Sequence, residues 1–308
     1  MKKIAITGGS GFIGSHLVDI LIEKGHAVTI FDRHYNSSIV KEYNWKDKKI
    51  DFRIGDLKDK DSVFELVRNC DIIVNLGGLL GTAEMLENFV EAVEVNILGA
   101  LNVFNAARLH KKRVFQIQVG NNFMNNAYSI TKDTAVRIAQ TYRKEFKMDI
   151  RICKGMNIYG PRQKHRPIRK IFPNLVIPAL LNEDITIYGT GAQIMDLLYV
   201  KDFAEILSRI ILIDNIPGDI IFEAGAGEFT INDAVNKVLE LTQSKSKVNR
   251  IPMRPGEDAM SVVKISDEGW ANLKKYVNYT SADLTPMNIA MKQSIDWYRE
   301  NLSRFPWD

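Results

Sequence analysis

The sequence predicts an α/β fold, a doubly wound parallel sheet with a smaller, mostly C-terminal α/β lobe. Three observations indicate it. A glycine-rich segment, residues 7–17, joins a short apolar strand pattern to an apolar-periodic helix pattern. Strand and helix patterns then alternate up to about residue 154, which is typical of a parallel sheet with helices on both faces. From Tyr159-Gly160-Pro161 onward, prolines punctuate the chain and the predicted elements become short.

The composition is that of an ordinary globular protein, with 308 residues, 45% hydrophobic and 25% charged. A net charge of +4 is too small to indicate nucleic acid as a partner. No apolar run reaches the roughly 20 residues that span a bilayer, and Thr7-Gly8-Gly9 interrupts the apolar start too early for a signal peptide. We therefore expect a cytoplasmic protein with no membrane partner. Cys70 and Cys153 are expected to be buried free thiols, and the histidines show no metal-ligand spacing.

The glycine-rich segment predicts a dinucleotide site, as in a Rossmann-type fold. Residues 3–6 are β-branched enough for a buried strand, and residues 15–24 repeat apolar positions at helical spacing until Gly25. Such a loop lets the backbone approach a pyrophosphate, whose charge meets unpaired N–H groups at the helix start. The expected cofactor contacts in this loop are Gly8, Gly11, Phe12, Ile13 and Gly14.

The second predicted strand, residues 27–31, ends at Asp32. A carboxylate there accepts hydrogen bonds from the adenosine ribose and repels a 2′-phosphate. We therefore predict NAD rather than NADP as the cofactor. Arg33, the next residue, complicates this prediction because a guanidinium binds phosphate well.

The other elements follow in chain order. After a polar stretch to residue 49, the first half has predicted strands at 50–54, 71–76, 113–119 and 149–154, and helices at 60–68, 84–109 and 128–146. The second half has helices at 175–181, 202–213, 230–242 and 286–302, and strands at 185–188, 197–200 and 219–222. We predict that residues 1–160 and 197–225 form the NAD-binding domain. Residues 161–196 and 226–308 would form the lobe that closes over the ligand edge of the sheet.

Tyr128 and Lys132 form the second informative pattern. Residues four apart on a helix share a face, so the phenol and the ammonium should project to one side. A nearby cation favours the phenolate, and a tyrosine tuned in this way takes a proton from a sugar or alcohol hydroxyl while a nicotinamide takes the hydride. Placed after the fifth strand of a nucleotide-binding sheet, the pair indicates oxidation of a hydroxyl.

With these motifs the chain resembles, from end to end, an extended short-chain dehydrogenase/reductase of the nucleotide-sugar epimerase/dehydratase family. The matching segments are residues 7–14, Gly55-Asp56-Leu57, Asn75-Leu76-Gly77-Gly78, Asn96, Tyr128 with Lys132, residues 157–162, residues 187–191 and Arg254-Pro255-Gly256-Glu257.

The resemblance implies a nucleoside-diphosphate sugar as substrate and a homodimer formed by helices 84–109 and 128–146. It implies further cofactor contacts at Asp32, Arg33, Asp56, Leu57, Leu76, Gly77, Gly78, Asn96, Tyr128 and Lys132. It implies substrate contacts at Leu80, Glu84, Asn121, Asn157, Arg162, Tyr188 and Arg254. Asn157 and Arg254 would hold the diphosphate, which favours amide donors and a guanidinium fork.

Three departures from the family pattern stand out. The fifth strand ends without a Ser or Thr, which leaves Gln118 as our candidate for a catalytic hydrogen bond, with Asn121 or Asn122 as alternatives. Only eight residues separate Val119 from Tyr128, so we expect a more open pocket. Met195 stands where relatives usually present an arginine to the diphosphate. The candidates to replace that arginine are Arg162, Arg166, Arg169 and Lys170.

The favoured reaction is NAD-dependent epimerisation at C4 of the hexose, with Tyr128 as base and Lys132 as its electrostatic support. A 4,6- or 5,6-dehydratase also needs an acid and a base for elimination, and no Asp or Glu lies between Arg113 and Lys132. Glu84 and Glu87 are the nearest carboxylates to stand in. The alternatives are such a dehydratase, a 4-keto reductase or dehydrogenase, and, from another class, a non-catalytic NAD-binding sensor or scaffold.

Overall fold

The computed structural model describes residues 1–34, 50–166, 168–214, 216–217, 219–254 and 262–303. The predicted polar stretch that follows His34, and the motif residues Pro255, Gly256 and Glu257, lie outside these ranges. All seven strands of the central sheet lie within them.

The strands, in chain order, are β1 (Lys3–Thr7), β2 (Ala27–Asp32), β3 (Ile50–Ile54), β4 (Ile72–Asn75), β5 (Arg113–Val119), β6 (Ile150–Gly155), β7 (Asn157–Tyr159), β8 (Ile185–Tyr188), β9 (Ile194–Met195), β10 (Leu197–Tyr199), β11 (Ile221–Ala224), β12 (Phe229–Thr230), β13 (Val248–Ile251) and β14 (Val262–Val263). The helices are α1 (Phe12–Glu23), α2 (Lys60–Arg68), α3 (Phe89–His110), α4 (Ala127–Glu145), α5 (Ile171–Leu181), α6 (Val200–Leu212), α7 (Ile231–Thr242), α8 (Asp267–Asn272) and α9 (Met287–Asn301).

The elements differ from the sequence patterns mainly at their ends. Helix α5 begins at Ile171, four residues before the predicted start, because Pro173 falls in its first turn, where a missing N–H breaks no helical hydrogen bond. Helix α3 begins at Phe89 rather than at residue 84, and a π-helical turn, Glu94–Leu98, interrupts it. Strands β9, β12 and β14 have two residues each, too few to show an alternating pattern.

The central sheet has the strand order β11-β6-β5-β4-β1-β2-β3. Each neighbouring pair is parallel, which confirms the predicted fold class. The strand order reverses between β1 and β4, and ligands of such sheets bind at this switch point, beyond the carboxyl ends of the strands. The glycine loop after β1 and the loop after β4 both leave the sheet there.

Three large apolar clusters and a small fourth one around Met85 form the core of the described residues. On one face of the sheet, α1 and α6 bury side chains such as Leu17 and Ile206. On the other face, α2, α3 and α4 bury side chains such as Phe104 and Val136. A third cluster, which includes Phe172, joins α5, α7 and α9 to β8 and β10. This third cluster supports a separate lobe, whose boundaries stay a prediction.

Helix α3 is, among the described residues, the one helix long and apolar enough to cross a membrane by length and composition. This is weak evidence, because a core helix of a globular protein passes the same test, and 44% of its most apolar stretch is buried. Several of its apolar side chains are exposed, as are Ile130 on α4 and Phe146 just after it. The exposed residues on α3 are Phe89, Val90, Val93, Leu98 and Leu109.

Candidate active site

A cleft of about 890 Å³ opens where strands β5 and β6 end, against segments that follow residue 160. Ten predicted site residues lie in its walls: Phe12, Ile13, Leu80, Glu84, Gln118, Asn121, Tyr128, Asn157, Tyr188 and Arg254. The structure thus brings the end of the cofactor loop and most of the predicted substrate contacts to one place.

The loop after β1 has the shape that a pyrophosphate requires. Gly8 has a φ of 68°, a left-handed conformation that side chains rarely adopt, and a Cβ at Gly14 would overlap the carbonyl oxygen of Gly8. Gly11 is the N-cap of α1, and no side chain caps this helix. The N–H groups of its first turn therefore point toward an anion site, and this loop fits the diphosphate of NAD.

Asp32 is fixed at the end of β2 by Ser10, whose Oγ and backbone N donate to Asp32 Oδ2 at 2.6 and 3.2 Å. Arg33 Nη1 lies 3.4 Å from Glu91 Oε1, so the guanidinium that complicated the cofactor prediction is paired with a carboxylate. The fixed carboxylate of Asp32 favours a free ribose diol over a 2′-phosphate, and the ion pair with Glu91 gives Arg33 a partner other than a phosphate.

The other predicted cofactor residues lie at the neighbouring strand ends. Asp56 Oδ1 accepts a hydrogen bond from Lys58 N at 2.9 Å, Leu57 is buried, and Leu76 is half-buried. Gly77 N donates to Thr7 Oγ1 at 3.0 Å. That bond ties the loop after β4 to the end of β1, across the switch point.

Asn96 lies in the π-helical turn of α3. Its side-chain amide forms hydrogen bonds with the backbone N and O of Leu79. Asn96 Oδ1 accepts from Leu79 N at 2.9 Å, and Nδ2 donates to Leu79 O at 3.2 Å and to Thr131 Oγ1 at 3.0 Å. A Cβ at Gly78 would lie 2.6 Å from Asn96 Oδ1 and 3.1 Å from Lys132 Nζ. Gly78, Asn96 and Lys132 therefore meet at one point, and π-helical turns are frequent at such functional positions.

Tyr128 and Lys132 lie in the first two turns of α4, and burial disfavours the charged form of each. Burial raises the pKa of Tyr128 and lowers the pKa of Lys132 to about 8. We expected a neighbouring cation and an oxidised nicotinamide to favour the phenolate; for the protein alone, desolvation of the phenolate outweighs the neighbouring cation, and the combined effect with NAD stays a prediction. Lys170 Nζ lies 5.9 Å from the centroid of the Tyr128 ring, so a second cation faces the phenol.

Gln118 lines the cleft, but its amide is engaged within the protein. Its Oε1 accepts from Val119 N at 2.9 Å, and its Nε2 donates to Asp133 Oδ1 at 2.9 Å. Asn122 Nδ2 donates to the same oxygen at 3.1 Å, and Arg137 Nε donates to Asp133 Oδ2 at 2.7 Å. The structure therefore gives Gln118 an anchoring contact with α4, and its catalytic hydrogen bond stays a prediction. Sequence reasoning missed Asp133. It lies one residue beyond the segment from Arg113 to Lys132, which has no carboxylate.

Several polar contacts in the cleft wall involve Tyr188, the last residue of β8. Arg254 Cζ lies 4.8 Å from the centroid of the Tyr188 ring, and Arg169 Nη1 donates to the Tyr188 hydroxyl at 3.1 Å. Gln193 Nε2 donates to the backbone oxygen of Tyr188 at 3.1 Å. Met195 lines the same cleft. Of the four basic residues considered as replacements for an arginine at that position, Arg166, Arg169 and Lys170 line the cleft.

Arg162, predicted to contact the substrate, is not placed in the cleft wall. Its Nη1 lies 2.9 Å from Asp19 Oδ2 and donates to Ser15 Oγ at 3.3 Å. Both partners belong to α1, and the Arg162 side chain is only 8% exposed. The ion pair with Asp19 therefore turns this guanidinium against α1 and makes it a structural contact.

Glu84 and His165 add titratable groups to the cleft. Glu84 Oε1 accepts from Arg169 N at 3.5 Å, whereas Glu87 is exposed and not part of the wall. His165 is buried, with Nε2 2.9 Å from Asn174 Oδ1, and no motif in the sequence indicated it. Over the described part of the chain, no group of three or more His, Cys, Asp or Glu side chains is arranged to hold a metal ion.

Comparisons with known proteins identify the family and the fold. The sequence model of the NAD dependent epimerase/dehydratase family matches residues 4–225. UDP-N-acetyl-alpha-D-glucosaminuronate decarboxylase of Bacillus cytotoxicus is 27% identical over 97% of this chain and 98% of that protein. The dTDP-D-glucose 4,6-dehydratase of Dictyostelium discoideum is 30% identical over 68% of this chain and 56% of that protein.

Two solved structures illustrate the shared fold. DesIV, a dTDP-glucose 4,6-dehydratase of Streptomyces venezuelae with NAD bound, has a TM-score of 0.88 and 21% identity over 99% of this chain and 100% of that chain. UDP-glucose 4-epimerase of Thermus thermophilus in complex with NAD has a TM-score of 0.83 and 21% identity over 96% of this chain and 99% of that chain.

Proposed function

The chain belongs to the NAD-dependent epimerase/dehydratase family, and we propose that it inverts the configuration at C4 of the hexose in a nucleoside-diphosphate sugar. One observation carries this proposal. Tyr128 lies in the cleft wall, and no carboxylate lies between Arg113 and Lys132. The nearest carboxylate in sequence, Asp133, is held by Gln118, Asn122 and Arg137. The cleft thus has a base for a hydroxyl proton but lacks the carboxylate pair expected of a dehydratase after β5.

NAD, when bound, supplies a hydride acceptor and a positive charge that favours the phenolate form of Tyr128. Tyr128 Oη is then the group that takes the proton of the C4 hydroxyl and gives one back. Gln118 contributes no proton transfer, because amides do not titrate in this range. The proton step therefore falls to Tyr128 alone, in contrast to relatives with a hydroxyl side chain after the fifth strand.

Lys132 and Asn96 support the loop after β4. Lys132 Nζ lies beside Gly78 and Asn96, and its pKa of about 8 keeps most of the population charged at pH 7. Asn96 fixes the backbone of Leu79, which precedes the cleft residue Leu80. These contacts hold the loop after β4 in position against α4.

Decarboxylation of a nucleotide-linked uronic acid is the second candidate, and Lys170 favours it. A ketone at C4 is β to the C6 carboxylate, so the C5–C6 bond breaks with release of CO2 and its electron pair forms the enolate of the C4 ketone. C5 then takes a proton from the solvent, and no separate acid is needed for a leaving hydroxyl. Lys170 Nζ lies 5.9 Å from the Tyr128 ring centroid, where a cation suits an anionic sugar substituent. The similarity to the Bacillus cytotoxicus decarboxylase extends over nearly the full length of both chains.

Product mass separates these reactions. UDP-, GDP-, dTDP- and CDP-sugars, including UDP-linked uronic acids, are screened by thermal shift, and the stabilising ones are incubated with enzyme and NAD. Unchanged mass with inverted C4 stereochemistry supports the epimerase. A loss of about 44 Da, one CO2, supports the decarboxylase, and a loss of about 18 Da, one water, makes it a dehydratase with Glu84 as the first carboxylate to test. No turnover of any sugar would favour the sensor or scaffold.

A further inference from the structure

We propose that Tyr188 is a positioning residue. It holds the guanidinium groups of Arg169 and Arg254 in place, and these two groups bind the diphosphate of the substrate. The inference rests on the proposed function, because it takes the ligand to be a nucleoside diphosphate sugar. It identifies Arg169 as a diphosphate contact and the Tyr188 hydroxyl as the group that places it.

The contacts around the Tyr188 ring carry the first step. Arg254 Cζ lies 4.8 Å from the ring centroid, and Arg169 Nη1 donates to the hydroxyl at 3.1 Å. The two guanidinium groups therefore occupy the face and the tip of one aromatic ring. A guanidinium has five N–H donors in a planar fork, so the bond to Tyr188 leaves Arg169 most of its donors for the oxygens of a phosphate.

The neighbouring residue Lys170 sets the direction in which a ligand would lie. Arg169 points to Tyr188, whereas Lys170 Nζ lies 5.9 Å from the centroid of the Tyr128 ring. Two consecutive residues thus face two different tyrosines in the wall of one cleft. A ligand with its diphosphate at Arg169 has its sugar beside Tyr128, where the reacting hydroxyl must be.

Placement by Tyr188 matters because Arg169 is exposed. A long, exposed side chain samples many rotamers, and ordering it on binding costs conformational entropy. The Tyr188 hydroxyl restricts those rotamers before the ligand arrives, and preorganisation of this kind improves affinity. The backbone of Tyr188 is itself anchored, since Gln193 Nε2 donates to its carbonyl oxygen at 3.1 Å.

The test is calorimetric binding of UDP and UMP, or of whichever nucleoside diphosphate and monophosphate pair the wild type binds best. Arg169→Gln should weaken UDP binding about 10- to 100-fold and UMP binding much less. Tyr188→Phe keeps the ring beneath Arg254 and removes the hydroxyl, so we expect a loss of about 3- to 10-fold for UDP. Controls are Arg53→Gln, whose partner is Asp51, and Tyr142→Phe, whose hydroxyl donates to Asn105; both should bind UDP like the wild type.

The double variant Tyr188→Phe/Arg169→Gln distinguishes positioning from general damage. If the hydroxyl acts through Arg169, the double variant binds UDP no more weakly than Arg169→Gln alone. Losses that multiply in the double variant would overturn the role of Tyr188. Equal losses for UDP and UMP in Arg169→Gln would overturn the diphosphate contact. If the wild type binds no nucleoside diphosphate at all, the proposed function fails together with this inference.

Discussion

Replacing Lys132 with methionine should stabilise the protein and impair its activity. Lys132 is 3% exposed, and burial lowers its pKa from 10.5 to about 8. At about 1.36 kcal/mol per pKa unit, the charged form is disfavoured in the folded protein by about 3 kcal/mol. At pH 7 the lysine is mostly charged in both states, so nearly all of this penalty is present. Methionine has no charge and a similar length, so we expect a gain of up to about 3 kcal/mol in unfolding free energy.

The stability difference between the wild type and Lys132→Met depends on pH. Because the folded-state pKa of Lys132 lies below the unfolded-state pKa, the unfolded chain binds more protons between pH 8 and 10.5. The wild type therefore gains stability relative to Lys132→Met as the pH rises through this range. The gap of about 3 kcal/mol at pH 7 should nearly close by pH 10.5.

Urea unfolding of both proteins at pH 7 and at pH 9.5 to 10 measures the gap. Lys144→Met is the matched control, because Lys144 lies on the same helix with its side chain 82% exposed. It should change stability by less than about 0.5 kcal/mol at either pH. The reasoning is refuted if Lys132→Met is less stable than the wild type at pH 7, or if the gap is the same at both pH values.

NAD affinity and turnover of Lys132→Met should both fall, because Nζ lies beside Gly78 on the cofactor side of the site.

Three further predictions concern the reaction, the cofactor and the assembly. Tyr128→Phe should keep its fold and NAD affinity and lose turnover by about two to four orders of magnitude; near wild-type rates would exclude Tyr128 as the base. NAD should bind more tightly than NADP in isothermal titration, because Asp32 is fixed by Ser10 and Arg33 is paired with Glu91, and a tighter Kd for NADP would contradict this. Light scattering at micromolar concentration should give a dimer mass, because α3 and α4 expose apolar side chains, and a monomer mass would count against the homodimer.

The fold could be predicted because its signals are local. A strand, a glycine loop and a helix follow one another within residues 3–24, and the alternation that follows leaves few topologies other than a parallel sheet. The two-residue strands β9, β12 and β14 form by pairing with segments that are distant in sequence. They are too short to show the alternation of apolar and polar residues that predicts a strand.

The site could be predicted in part, for a reason that differs between residues. Tyr128 and Lys132 were found because their spacing is helical. Arg162 follows a turn motif that usually lies near substrate. Its guanidinium instead forms an ion pair with Asp19, a residue distant in sequence. Gln118 and Asp133 meet only because α4 packs against the end of β5. Long-range ion pairs and helix packing of this kind leave no pattern in a single sequence.

The contacts of Arg169 and Lys170 were the least predictable. The sequence shows only a basic, proline-punctuated loop, for which a solvated surface is the ordinary interpretation. Tyr188 and Tyr128, which these two residues face, are 60 residues apart in the chain. That these two adjacent cations contact two different tyrosines is visible only in three dimensions.

Transient oxidation at C4 is tested most directly with a nucleotide sugar that carries deuterium at C4, chosen from the substrates that the product-mass screen identifies. The enzyme is incubated in ordinary water with NAD, and the product is examined by NMR. If the C4 hydrogen leaves as a hydride and returns to C4, the product keeps the deuterium at C4, and Tyr128→Phe forms almost no product. A product that has lost its C4 deuterium to the solvent would contradict hydride transfer at this carbon.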